Sequence, residues 1–306
     1  MSSTEKSEDL RIGIIGAGVF GGFHAAKVSE ANGAKLSGIY DPDEARAAGN
    51  ALKHAAQSFS ALEQLFAVSD AIIIASPAET HGAMVSAALA AGMHVYVEKP
   101  LADTGAMARS LAADATMRGL ILQVGHQERF VFEAIGLLDV EERPIEIDAV
   151  REGPASGRGL DTSVTMDLMI HDLDLVLRLF RTRAFRVSAV RLEGEPGFAN
   201  AIDAMVEFEG GGKAMLLASR IAPDRRRAMR LTYPSGTVEI DFVARTFSNT
   251  SKLPLNADFS ARLPDPLGAA VNSFILACRG EAVCAVPAFE AAEAVFLAES
   301  IDAAAG

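Results

Sequence analysis

The chain has 306 residues, of which 50% are hydrophobic and 22% charged, with a formal net charge of -12 and a pI near 5.0. That length exceeds what one ordinary core holds, so two domains are expected, and the acidic balance excludes a broad phosphate-binding surface and with it nucleic acid as a partner. Apolar runs between charges are too short for a membrane span, and Cys278 and Cys284 lack a CxxC or Cys/His ligand spacing, which points away from disulfides and structural zinc and fits a reducing cytoplasm.

Residues 1–10, MSSTEKSEDL, are polar and read as a frayed tail rather than a signal peptide. From Arg11 to about Val124 the runs RIGIIG, KLSGIY, AIIIAS, HVYVEK and LILQV alternate with alanine-rich helical stretches such as AMVSAALAAG. Strands buried on both faces read as continuous apolar runs, so this alternation predicts an α/β, doubly wound Rossmann domain over 11–124. The first strand runs into GAGVFGG, which gives Gly16, Gly18 and Gly21 the G-x-G-x-x-G spacing, with Val19 and Phe20 inside it. The first glycine permits a tight turn and the second close approach to a pyrophosphate; the third lets the helix lie close to the strand, with its N-terminus toward the anion. Asp41 ends the next strand 20 residues after Gly21, where a carboxylate binds a ribose 2′-hydroxyl and repels a 2′-phosphate. The expected cofactor is therefore NAD rather than NADP.

Over 125–306 the texture becomes α+β. An amphipathic helix is expected from Thr165 to Phe180, followed by strands near 185–193, 201–209, 213–221, 228–233 and 237–243 in a mainly antiparallel sheet. Gly210–Gly212 marks a hairpin turn, and helices are expected at 267–279 and 287–304. In MDLMIHDLDL, Asp167 and His171 are four residues apart and share one face of a helix. Asp172 and Asp174 raise a metal alternative, but successive helical positions point about 100° apart, so Asp172 leaves that face and no metal is expected. In KAMLLAS, 213–219, apolar residues stand at both parities. Both sheet faces therefore want cover, which predicts a homodimer or homotetramer assembled through the sheet.

With the glycine loop in place, SPAETHGAMVSAALAAGMHVYVEKPLA, VGHQERF and MDLMIHDLDL resemble the Gfo/Idh/MocA family of dehydrogenases over nearly the whole chain. The resemblance implies oxidation of a sugar hydroxyl to a ketone by hydride transfer to NAD. It implies that Lys99 of EKP converges with Asp167 and His171 beside the nicotinamide and the substrate. His171 would then be the base and Lys99 would stabilise charge on the reacting oxygen, with Asp167 orienting neighbouring groups. Cofactor contacts are implied at Ser76, Pro77, His81, Glu98, Lys99 and Gln127, a substrate contact at His126, and a cis bond at Lys99–Pro100. Within the family, GHQERF, REGP and MDLMIHDLDL look most like the branch that oxidises the 3-hydroxyl of UDP-N-acetylglucosamine or a related nucleotide sugar, with Arg151 and Arg158 available to its diphosphate. That branch continues after ERF with Asn-Pro, where Val131 and Phe132 stand here. An inositol or free-sugar dehydrogenase is the alternative enzyme, and a silent NAD-binding sensor the alternative of another class.

Overall fold

A computed structural model describes residues 9–155, 162–195 and 198–306, and the chain falls into two compact units, Met1–Gln127 with Asp265–Ala291 and Glu128–Pro264 with Ala292–Gly306. Of the tail expected at 1–10, residues 1–8 lie outside the described residues, and Leu10 already opens the first strand.

In the first unit β1 (Leu10–Ile15), α1 (Val19–Glu30), β2 (Ala34–Tyr40), α2 (Glu44–Lys53), β3 (Ser58–Phe59) and α3 (Leu62–Ala67) lead to β4 (Ala71–Ile74). Then come α4 (His81–Ala90), β5 (His94–Val97), α5 (Gly105–Arg118) and β6 (Leu122–Val124). All six strands are parallel, in the order β3-β2-β1-β4-β5-β6. Ile12, Ile14, Ile15 and Ile72–Ile74 are buried at both parities, the reason these strands read as unbroken apolar runs. The strand order reverses at β1 and β4, and ligands of such sheets bind beyond the carboxyl ends of the strands at that point. The two-residue β3 is too short to show any periodicity.

The second unit holds α6 (Glu128–Ile135) and β7 (Glu146–Glu152), then a π-helical turn (Thr165–Met169) that runs on as α7 (Ile170–Phe180). It continues with β8 (Ala184–Glu195), β9 (Phe198–Phe208), β10 (Lys213–Ser219), β11 (Arg226–Tyr233), β12 (Gly236–Asp241), β13 (Thr246–Asn249) and α8 (Phe259–Arg262). Its sheet has the order β13-β12-β11-β7-β10-β9-β8, antiparallel except where β7 and β10 run parallel. Gly210 and Gly211 turn the chain between β9 and β10, each at φ +93. The central strand β7 is absent from the sequence-based expectation. Its inward set is Ile147, Ala149 and Arg151, and an arginine at an inward position masks the alternation. One face of the sheet is sealed by Ala149, Leu216, Ala204 and their neighbours; on the other, Val150, Met215, Leu217 and Met205 are only partly covered.

The chain then returns to the first unit through α9 (Pro266–Cys278) and the start of α10 (Ala288–Ala305). Here the linear boundary expected at 124/125 differs from the contact pattern. The backbone of edge strand β6 is completed by residues far downstream: Val124 N–H donates to Val286 O at 3.0 Å, Gln123 bridges antiparallel to Pro287, and the Gln123 amide donates to Ala270 O at 2.9 Å. An edge strand's unpaired groups need such a partner, and no local pattern names it. Among the described residues no helix is long and apolar enough to cross a membrane.

Candidate functional site

The glycine loop joins β1 to α1, and each glycine there answers a separate demand. Gly16 has φ +99, and a Cβ on it would fall 2.6 Å from Ser76 N; a Cβ on Gly21 would fall 1.8 Å from Gly16 O. Backbone packing thus enforces the first and third glycines. A Cβ on Gly18 would meet nothing within 4 Å, so the second glycine faces open space, as close approach of a pyrophosphate requires. Val19 and Phe20 open α1 with exposed side chains. The Asp41 carboxylate closes this cradle, accepting from Ala17 N–H at 2.7 Å through Oδ2 and from Asp43 N–H at 2.9 Å through Oδ1. Each oxygen keeps a lone pair for a sugar hydroxyl. The helix cap after Pro42 is Asp43, whose side chain accepts from Arg46 N–H. The residues present fit a dinucleotide.

Ser76 lies against Gly16, its hydroxyl 2.6 Å from that of Thr80, and Pro77 precedes a short 3-10 turn. Two of the expected cofactor contacts have other work. His81 is 1% exposed, with Nδ1 2.6 Å from Pro100 O and Nε2 3.0 Å from Ser76 O, so its ring braces two loops rather than facing a ligand. Glu98 is buried against His24, Oε1 to Nε2 2.7 Å, a partner from α1 that sequence reading missed. Burial alone would raise the Glu98 carboxyl, but the bond from His24 and the charges around it hold it below the usual range. Lys99 is half-buried beside it, and the Lys99–Pro100 bond is cis, as the resemblance implies. His126 is buried, and Gln127 is half-buried with its N–H donating to Gly125 O.

In the second unit the expected helix begins with a π turn rather than in α geometry throughout. Ser163 and Thr165 anchor this turn by donating their hydroxyls to the two Asp302 oxygens, each at 2.6 Å, and Asp167 sits half-buried on it. One turn on, His171 Nδ1 is 2.8 Å from Glu128 Oε2. A carboxylate only accepts, so this contact places a proton on Nδ1 and makes Nε2 the proton-accepting nitrogen of the neutral ring. Glu128 Oε1 accepts from Arg151 Nη1 at 2.9 Å, while Arg151 Nε and Nη2 donate to Asp172 at 2.9 and 2.8 Å. Burial would raise the Glu128 carboxyl, yet the charges of His171 and Arg151 hold it well below the usual range.

Arg151 therefore corrects one expectation. Its side chain is 2% exposed and its guanidinium is committed to Asp172 and Glu128, which leaves it no access to a substrate diphosphate. Arg158 lies outside the described residues. The extra acids of HDLDL hold arginines: Asp172 receives Arg151, and Asp174 receives Arg129 Nε and Nη2 at 2.7 and 2.6 Å.

Residues 10–126 match the family model described as "Oxidoreductase family, NAD-binding Rossmann fold", and residues 148–239 match the Gfo/Idh/MocA C-terminal domain. The chain is 35% identical over 239 residues to a UDP-N-acetylglucosamine 3-dehydrogenase of Acidithiobacillus ferrooxidans, covering 78% of this chain and 75% of that one. A solved structure of UDP-N-acetylglucosamine 3-dehydrogenase GnnA from Acidithiobacillus ferrooxidans superposes with a TM-score of 0.89 at 30% identity, covering 97% of this chain and 98% of that one. An inositol 2-dehydrogenase of Cereibacter sphaeroides is 34% identical over 176 residues, 55% of this chain and 53% of its own length.

Proposed function

The chain belongs to the Gfo/Idh/MocA family of oxidoreductases with an NAD-binding Rossmann fold, and from there we propose that it oxidises the 3-hydroxyl of UDP-N-acetylglucosamine, or of a related nucleotide sugar, to a ketone. The observation that carries the substrate is the 35% identity to a UDP-N-acetylglucosamine 3-dehydrogenase across 78% of this chain. Such an oxidation removes a hydride from carbon and a proton from oxygen. Bound NAD supplies the hydride acceptor. His171 Nε2 takes the proton, and the Glu128 carboxylate at Nδ1 stabilises the imidazolium that results. Lys99 stabilises the charge developing on the oxygen and Asp167 orients neighbouring groups, roles that rest on the EKP and D-x-x-x-H motifs. Gly16, Gly18, Gly21 and Asp41 would hold the cofactor, and Asp41 disfavours a 2′-phosphate.

The test is to mix the protein with NAD and, separately, UDP-N-acetylglucosamine, other UDP-sugars, free N-acetylglucosamine and inositols, and to follow NADH by absorbance. NADH formation with the UDP-sugar at the highest kcat/KM is expected. A preference for inositol would put the substrate among polyols, and no turnover with any of them would make the chain a sensor.

The working particle in this reading is a homodimer or homotetramer. Support comes from the partly covered sheet face, where Val150, Met215, Leu217 and Met205 are neighbours across β7, β10 and β9 while Leu216 points into the core. That Cys278 and Cys284 stand as thiols rather than as a disulfide supports a cytoplasmic location.

A further inference from the structure

Around His171 the charges of Glu128, Arg151 and Asp172 pair with one another, and Arg227 stands beside them. Arg227, at the start of β11, stands directly opposite Arg151 in the β11–β7 register, so the two side chains share one face of the sheet. On that face Arg151 reaches Asp172 of α7. Both carboxylates there are already committed: Asp172 holds Arg151 through both oxygens, and Glu128 is divided between Arg151 and His171.

Arg227 is half-buried, and while its backbone carbonyl accepts from Phe242 N–H at 2.9 Å, no hydrogen bond or ion pair reaches its guanidinium among the described residues. Burial depresses the pKa of its guanidinium, and repulsion from Arg151 and Arg225 adds to that, against weaker attraction from Glu128 and Asp172. A half-buried cation without a partner is destabilising. In a chain of net charge -12, this guanidinium has no carboxylate in contact among the described residues, and it belongs to a run of three arginines, Arg225–Arg227. An arriving anion would supply the missing partner, and a planar guanidinium fork suits phosphate oxygens.

We propose that Arg227 binds the diphosphate of the nucleotide-sugar substrate, the part the resemblance offers to Arg151 and Arg158. The assignment rests on the nucleotide-sugar reading above and deepens it by naming the residue that recognises the anion. Arg225, exposed just before β11 and two residues away, adds positive potential near Arg227.

The probe is UDP alone, titrated calorimetrically into wild type, Arg227→Gln, Arg227→Lys and, as a control, Arg230→Gln. Arg230 is exposed on the opposite sheet face and faces Glu239 at 3.5 Å. Arg227→Gln is expected to weaken UDP binding about 10- to 100-fold and to raise the KM for the UDP-sugar by a similar factor, the scale of a charge-assisted bond. Arg227→Lys should fall between, because it keeps the charge and loses the fork. NAD affinity and far-UV circular dichroism like wild type would show that the loss is local, and should the glutamine variant not fold, the lysine variant carries the comparison. Wild-type UDP affinity in Arg227→Gln overturns the assignment while leaving the nucleotide-sugar reading intact. A wild-type protein that oxidises a free sugar and ignores UDP overturns both.

Discussion

Replacing Arg151 with methionine tests the charge cluster beneath His171. The guanidinium makes three charge-assisted bonds, two to Asp172 and one to Glu128, at 2.8–2.9 Å, and its side chain is 2% exposed. Methionine fills much of the same space but strands Asp172, whose side chain is 4% exposed, without a cation. Glu128 keeps His171, so most of the penalty falls on Asp172. Breaking a buried pair by removing one partner costs roughly 3–5 kcal/mol, a large part of a total stability of about 5–15 kcal/mol. For domains of about 150–250 residues 1 kcal/mol moves Tm by about 2–4 °C, so a fall of roughly 6–20 °C is expected. The chain has no tryptophan, so guanidinium and thermal unfolding are best followed by far-UV circular dichroism. The double variant Arg151→Met/Asp172→Leu removes both charges and should recover most of the loss, because an apolar replacement of a whole buried pair is often neutral. A single variant within about 1 kcal/mol of wild type, or a double variant no more stable than the single, would refute the view that these charges depend on one another.

His171→Ala and Lys99→Met should each lose turnover by about 100-fold or more while keeping NAD affinity in equilibrium titration; wild-type turnover in both would remove the catalytic assignment. Asp41→Ala should narrow or reverse the preference for NAD over NADP, and a wild type that binds NADP more tightly at matched salt would count against Asp41 as the discriminator. Glu128 is held well below its ordinary 4.5, so the stability it contributes is full above that value and is lost as pH falls through it toward the lower folded-state value. Glu128→Gln should therefore be less stable than wild type at pH 7 and approach it as the pH drops below about 4.5, as urea titrations across that range would show; a constant gap would mean that the carboxylate's charge is not what stabilises. Leu217→Glu should reduce the particle seen by light scattering to 32.2 kDa, whereas a wild type of that mass at every micromolar concentration would dispose of the oligomer.

Much of the architecture was legible because it is written in local periodicity. The isoleucine-rich runs of β1 and β4 read as strands buried on both faces, and the spacing of Gly16, Gly18 and Gly21 before a helix marks a turn in which backbone packing leaves no room for a side chain at Gly16 or Gly21. Asp167 and His171 were found because four residues on a helix return to the same face, and the π turn at Thr165–Met169 changes the detail of that geometry without moving either from its segment. The strands β8–β12 showed through their apolar runs, whereas β7 did not, since its inward position 151 holds an arginine.

Charge compensation was decided by tertiary structure alone. Arg151 and Arg227 are the same residue type on the same sheet face, yet one is sealed between Asp172 and Glu128 and the other has no such partner among the described residues. Glu128 reaches His171 across 43 positions of sequence, His24 reaches Glu98 across 74, and Asp302 holds Thr165 across 137. Whether a charge binds a ligand or stabilises the fold depends on which opposite charge lies within about 3–4 Å and how much water is excluded between them. Distance and exclusion arise from how strands and helices come together, so the sequence by itself determined where most strands, the glycine turns and the Asp167–His171 face would form, while β7 and the pairing of the charges were settled only by the folded chain.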